Sequence, residues 1–523
     1  HHFRSPPRPA ARLTDHRRNR SSCRKVISER SNFYERWRSA HGSPAALRES
    51  ADGTPTERLV QAIWSRQRLQ RDQLLTSDGR TVHILHPGFW NREAGPDFRG
   101  SVVQFAGEPA CVGDIEVDLR SDGWRSHGHD RNPAFANVVL HVVWDQPSRT
   151  PTKLPTLAIR DRLDAPLAEL HGLLEGELPP PLSAEQQGLC RAPLQALNLP
   201  QLQILLCEAA RVRLEARASQ LRARARQVGW ELALVEGLLR ALGYKHNSWP
   251  MQRLGELSPR LREVLAGSGR TASPLHWQAL LLGTSGLLPA EVKRASAGTS
   301  DYLRRVWDIW WRERDPLASQ VLPPKLWRLA GIRPANHPQR RLALAAHWLA
   351  DDKFFKRLET WFANLARAHT DESTSFKPTE ITSSLLATLD PGADDFWSRH
   401  WTLRSKPMTA AQPLLGPTRL TDLTVNVILP WFFVRAREGR NAPWSALAQR
   451  LWFAWPAAED NSVLRLARER LLGRTRRNAL KTAADQQGLL QIVRDFCDHS
   501  NAICEHCQFP ELVSQWSGTG TNP

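Results

Sequence analysis

The sequence predicts a two-part chain: an α/β N-terminal domain built on a small mixed sheet, followed by a large all-α domain. Three observations predict it. Between residues 51 and 175, one helical pattern is followed by about four runs of strand-forming residues. Beyond residue 188, apolar residues recur at helical spacing almost to the end. Charge changes with the pattern: residues 51–150 hold 11 Arg, no Lys and 13 acids, a net of −2, whereas residues 151–523 carry a net of +12. The Pro-rich stretch 176–187 reads as a linker between the two parts. Residues 1–50, with 12 Lys and Arg against 4 Asp and Glu, are expected to form a basic disordered tail.

Each element has its own signal. Thr54-Pro55-Thr56-Glu57 opens a helix, with Thr54 as N-cap, Pro55 at N1 and Glu57 at N3, the pattern of a capping box. Leu59, Val60, Ile63 and Trp64 give that helix an apolar stripe. Ser77-Asp78-Gly79-Arg80 is a turn before a strand over 81–85. Further strands are expected at 102–105, 110–120 and 138–144, with Gly107-Glu108-Pro109 turning between the first two. In the all-α domain, 188–523, the pattern predicts one long helix over 199–228 and a second over 230–242 that stops at Gly243. Most of the 21 Trp fall at helical spacing, which marks them as packing residues rather than base-stacking platforms.

The chemistry centres on Asp114-Ile115-Glu116-Val117-Asp118-Leu119. Side chains alternate along a strand, so Ile115, Val117 and Leu119 share one face and three carboxylates share the other. Like charges in a row repel unless water or a cation lies between them. Pairing with the strand that begins just after Pro96-Asp97 brings Asp97 towards the same face. Hard divalent cations, Mg²⁺ or Mn²⁺, are held by such carboxylates together with water and phosphate. The plain alternative is a solvated strand face, with Asp97 as a turn acid and Glu57 as a capping residue. His127-x-His129-Asp130 offers a second metal-ligand run, on a loop; His141 sits in an apolar strand as a buried histidine.

Two further patterns bear on partners. Cys497-x6-Cys504-x2-Cys507 has a spacing suited to two ligands on one metal, with Cys190, His499 or His506 as a fourth. Zinc or an iron–sulfur cluster suits such thiolates; the alternative is ordinary reduced cysteine. Arg211, Arg217, Arg222, Arg224 and Arg226 run along the predicted long helix as a nucleic-acid-binding stripe, or as a solvated helix face. A net charge of +18 favours an anionic partner, nucleic acid before membrane. No apolar run is long enough for a membrane span, and no signal-peptide pattern opens the chain. Seven sparse Cys argue against a disulfide framework, so a cytoplasmic protein is expected.

Several stretches carry a resemblance. Gly95-Pro96-Asp97-Phe98, Asp114-Ile115-Glu116, His127-Gly128-His129 and the run Asn137–Val143 resemble the bacterial domain-of-unknown-function family twenty-eight fifty-one. The likeness continues through Arg333-Pro334-Ala335-Asn336-His337-Pro338, Asn426-Val427-Ile428-Leu429-Pro430 and Gln487-Gly488-Leu489-Leu490 to the terminal cysteines. It covers roughly residues 55–515 and implies no activity. The N-terminal part also resembles the core of the PD-(D/E)xK nuclease superfamily, which implies a restriction-endonuclease-like fold and metal-assisted phosphodiester hydrolysis. By that resemblance Asp97 and Glu116 are metal ligands, Glu57 is an auxiliary one, and Asp118 occupies the position of the superfamily's Lys. Residues 51–150 contain no Lys, so Arg120, His129 or His141 would substitute, or Asp118 is a further ligand. A catalytically degenerate nucleic-acid-binding scaffold and a hydrolase using His127, His129 and Asp130 are the alternatives.

Overall fold

The computed structural model describes residues 33–41, 54–91, 95–145, 154–174, 188–244, 246–267, 272–292, 296–369, 376–459, 462–473, 479–497, 504 and 507–518. Its N-terminal part is a mixed sheet of six strands: β1 Val82–His86, β2 Phe89–Trp90, β3 Phe98–Phe105, β4 Cys111–Asp118, β5 Val138–Val143 and β6 Thr156–Ala158. The order is β1-β3-β4-β5-β6, with β2 pairing on β3. β1, β3 and β4 are antiparallel neighbours, while β5 is parallel to β4 and β6 to β5. Connection length explains the switch. A short turn through Gly107 at φ 79° folds β4 straight back on β3. The stretch between β4 and β5 is long enough to cross over, and it carries the short helix Gly123–Ser126. β5 is covered on both faces, which is why it reads as a nearly unbroken apolar run.

The helix Glu57–Arg66 lays Leu59, Val60, Ile63 and Trp64 on one face of the sheet, against Phe98, Ile115, Val117 and Leu140. Leu170 and Leu174 of the helix Leu167–Leu174 extend the same layer. Elsewhere on the sheet, Leu85 and Val102 join the apolar core of the helical region. A buried Arg71–Glu256 ion pair at 2.9 Å and a hydrogen bond from Gln104 Nε2 to the Ser319 carbonyl at 2.6 Å tie the two parts together. They therefore share a packed boundary. The predicted linker itself lies outside the described residues.

The helical region is organised around Leu199–Val228, a 30-residue helix that opens with a capping box of Asn198 and Gln201. It packs against Trp230–Leu242, Leu429–Glu438 and Ala483–Ile492. No helix among the described residues is long and apolar enough to cross a membrane.

Two expectations are corrected. The opening helix is capped by Thr56, whose side chain accepts from Leu59 N, so Glu57 is the first helical residue and closes no capping box. Within the expected disordered tail, Phe33–His41 is a helix. Phe33 stacks on Trp516, the Tyr34 hydroxyl donates to Asp495 at 2.8 Å, and Arg38 pairs with Asp495 at 3.2 Å. Phe33, Tyr34 and Trp37 form an apolar stripe at helical spacing, and the surrounding basic residues mask it in the composition. The rest of 1–50 lies outside the described residues.

Candidate functional site

The site forms where the start of β3 meets the end of β4. Asp97 stands just before β3, in a loop that Asn91 ties down: the Asn91 amide donates to the Asp97 carbonyl at 2.6 Å and its side chain to the Pro96 carbonyl at 2.9 Å. Asp97 Oδ2 accepts from Val117 N at 3.1 Å, and Asp97 N donates to Glu116 Oε2 at 3.1 Å. Glu57 and Gln61 lie one turn apart on one face of the opening helix. Gln61 Nε2 donates to Glu57 Oε1 at 3.1 Å and to Asp97 Oδ1 at 2.9 Å. One amide thus holds the helix acid beside the loop acid.

Histidines complete the group. His141 Nε2 lies 2.8 Å from Asp118 Oδ2, His127 Nδ1 3.3 Å from Asp118 Oδ1, and His129 Nε2 3.1 Å from Glu116 Oε1. The His129–Glu116 approach is close but is not aligned as a hydrogen bond. The rings of His129 and His141 each pack 5.6 Å from Trp124, and His129 stacks on Phe135 at 3.9 Å. Gly123 lets the backbone approach the Asp118 carboxyl group closely; a Cβ there would sit 2.7 Å from it and push that carboxyl group aside. Asp118, His127 and His129 can each bring one ligand atom within 4.8 Å of the other two.

The electrostatics are unbalanced. Glu116 is 7% exposed and Asp118 3%. Among the described residues, no Lys or Arg ion-pairs with Glu57, Asp97, Glu116 or Asp118. Burial, and then the neighbouring Glu57 charge, pushes Asp97 up to about 7. Burial followed by the Asp97 charge raises Glu116 to about 9. Glu57 is raised by burial and by Asp118. His129 is lowered, chiefly by burial, so its imidazole is neutral at pH 7. A divalent cation would relieve the crowding of carboxylates, and both Asp97/Glu116 and Asp118/His127/His129 have the donor chemistry to hold one.

The strand alternation places Ile115 and Val117 in the apolar core and Glu116 and Asp118 opposite them, as expected. The solvated-face alternative fails, because both acids are buried. Asp114 parts from them at a register irregularity and accepts from Gly100 N at 3.0 Å. Asp130 is outside the metal-ligand group and lies 3.9 Å from Arg131; Asp118 takes its place. The expectations from sequence do not include Gln61 and give Trp124, one of the residues of the family likeness, no role in the site. The i, i+4 spacing of Glu57 and Gln61 was the available signal for the first.

The arginine stripe meets acids. Arg222 pairs with Glu169 at 2.6 Å, and Arg224 pairs with both Glu236 and Asp72 at 2.7 Å. Arg226 reaches Glu438 at 3.4 Å, and Arg211 lies 3.8 Å from Glu208. Arg217 lines a cavity of about 500 Å³ together with Arg71, Arg240 and Arg419. The Arg222, Arg224 and Arg226 pairs hold the long helix to its neighbours, whereas the Arg211–Glu208 pair lies within it. Cys190 and Cys497 are buried, and both pack in one apolar cluster with Cys507 against it. Burial, and then Cys507 and Cys504, pushes the Cys190 thiol up to about 12.

This is an acid- and histidine-lined centre on a mixed sheet, backed by a helical region. The model of the family described as protein of unknown function (DUF2851) matches residues 57–462, and the chain belongs to that family. The match includes every acid and histidine of the centre. No curated protein matches the chain, and no solved structure does.

Proposed function

We propose that the centre carries out divalent-metal-dependent hydrolysis of phosphodiesters in nucleic acid. The observation that carries this reading is the convergence of Glu57, Asp97 and Glu116 without a basic partner among the described residues. The strand order adds support, since a helix, three antiparallel strands, a crossover and a parallel strand agree with the nuclease resemblance. Asp97 and Glu116 would hold Mg²⁺ or Mn²⁺, with Glu57 as an auxiliary ligand. The metal would supply Lewis acidity at the phosphate and lower the pKa of the attacking water. His129, neutral and beside Glu116, is placed to take the proton from that water. Asp118 stands where the superfamily has Lys and orients His127 and His141. The overall positive charge suits a polyanionic substrate, and a cytoplasmic setting accords with it.

The test is a cleavage assay on single- and double-stranded DNA and RNA with Mg²⁺ or Mn²⁺, comparing wild type with Glu116→Ala. Metal-dependent cutting that disappears in the variant supports the reading. Binding without cutting in both proteins assigns the chain to a catalytically degenerate nucleic-acid-binding scaffold instead.

A second reading has its own observation. Asp118, His127 and His129 meet the geometry of a single metal ion, the donor set of a metal hydrolase with two His and one carboxylate. Under that reading His127→Ala and His129→Ala release the bound metal, whereas Asp97→Ala leaves metal content unchanged.

A further inference from the structure

Four cysteines outside the acidic centre are drawn from opposite ends of the helical region to one place. Cys190 immediately precedes the short helix Arg191–Ala196, shortly after the segment 176–187, while Cys497, Cys504 and Cys507 lie in the last thirty residues of the sequence. Cys190 and Cys497 are 4% and 5% exposed and share an apolar cluster with Leu471, Leu472 and Phe509. Cys507 N donates to the Cys504 carbonyl at 3.2 Å, a turn that sets these two side by side. Cys507 Sγ lies 3.9 Å from the Phe496 carbonyl, next to Cys497. Arg470 Nη2 donates to Cys504 Sγ at 3.4 Å, which places a guanidinium where thiolate charge would gather. A Cβ on Gly188 would stand 3.1 Å from Cys190 Sγ, so the backbone closes tightly over that thiol. None of the four is in a disulfide.

We propose that Cys190, Cys497, Cys504 and Cys507 hold a structural metal centre through four thiolates. Reduced thiols are common singly in cores, but four converging from three chain segments beside a guanidinium have the donor chemistry of zinc or of an iron–sulfur cluster. The centre staples the start of the helical region to its end, beside the face where Phe33–His41 docks through Tyr34 and Arg38. It is independent of the hydrolytic reading.

The experiment uses the full chain, purified without oxygen from cells supplied with iron and zinc. Metal and acid-labile sulfide are measured together with the visible spectrum. Iron with matching sulfide and a visible charge-transfer band supports the centre and identifies it as a cluster; stoichiometric zinc with no colour supports it as a single-ion site. Cys190→Ser is expected to reduce the metal to background, whereas Cys111→Ser, in the sheet, leaves it unchanged. Metal-free wild-type protein overturns the proposal, as does full metal retention in Cys190→Ser. If Cys190→Ser fails to fold, alkylation of wild-type protein decides. The four thiols are expected to be protected together and to become reactive together once a chelator removes the metal. Labelling of Cys190 that ignores the chelator overturns the proposal.

Discussion

The acid cluster at the sheet and the arginine run on the long helix begin as the same kind of sequence signal, a series of like charges on one element. The structure treats them in opposite ways. Arg222, Arg224 and Arg226 each find a carboxylate from another element, and the helix is bound into the molecule by those pairs. Glu57, Asp97, Glu116 and Asp118 turn towards one another, with histidines, one glutamine and backbone amides among them and no Lys or Arg ion pair among the described residues. Burying opposed charges in pairs is compatible with a structural role. Burying like charges without compensation costs stability and persists when something outside the chain neutralises them. The contrast separates a charge pattern that the chain compensates itself from one that it leaves uncompensated among the described residues.

The largest effect expected on the compensated side is that of Arg224→Met. It leaves the buried Glu236 without its partner and should destabilise the protein by about 3–5 kcal/mol, as read by denaturant unfolding. A loss well below 1 kcal/mol would mean that the pair is not what holds the helix.

On the acid side the sign reverses for stability. Glu116→Gln replaces a carboxyl group that burial keeps protonated in the folded protein but that ionises freely in the unfolded chain, and should stabilise the metal-free protein at neutral pH by about 1 kcal/mol or more. The same change should lower metal-dependent hydrolysis about a hundredfold or more, because a displaced ligand misplaces the reacting groups. A stabilised and fully active variant would break the assignment of Glu116 as a ligand.

The pH dependence sharpens the comparison. Glu116 and Asp97 are raised in the folded protein to about 9 and about 7, so between their ordinary values near 4 and these limits the folded state binds more protons than the unfolded one. Stability of the metal-free protein should therefore be greatest at the acid end of that window and fall as pH rises towards about 9. A series of melting temperatures in chelator should show this slope. It should be flatter in Glu116→Gln and in wild type with excess Mg²⁺ or Mn²⁺, and a slope of the opposite sign in wild type would refute the burial argument.

The smallest effect expected is that of Arg226→Ala. Its pair with Glu438 is exposed, and the change should alter stability by no more than about 0.5 kcal/mol. If the helix face also binds nucleic acid, the variant should lose affinity equally across sequences and show a weaker salt dependence.

Much of the centre was legible in the residues. Alternation along β4 placed Glu116 and Asp118 opposite Ile115 and Val117, because side-chain direction in a strand follows from backbone geometry alone. Pro96-Asp97 preceding the neighbouring strand brought Asp97 to the same end. Glu57 was harder, since the helix could begin at either threonine. Capping by Thr56 rather than Thr54 places Glu57 one turn before Gln61 and frees it for the site. The sequence suggests Asp130 as the partner of the His pair because it is adjacent to His129. The crossover returns the loop to the end of β4, so the carboxylate that joins the His pair is Asp118, eleven residues before His129, and His129 also approaches Glu116.

The sequence by itself determined the division into a sheet-bearing part and a helical part, the long helix, the strand faces and the inventory of acids, histidines and cysteines. These follow from periodicity and composition, which act over a few residues at a time. Only the tertiary structure decided that the acids are buried rather than solvated, that the arginines are paired, that a helix docks from the basic N-terminal segment, and that Cys190 joins the terminal cysteines. Each of those outcomes depends on which distant element supplies the neighbour, and burial and charge pairing are properties of the neighbour as much as of the residue.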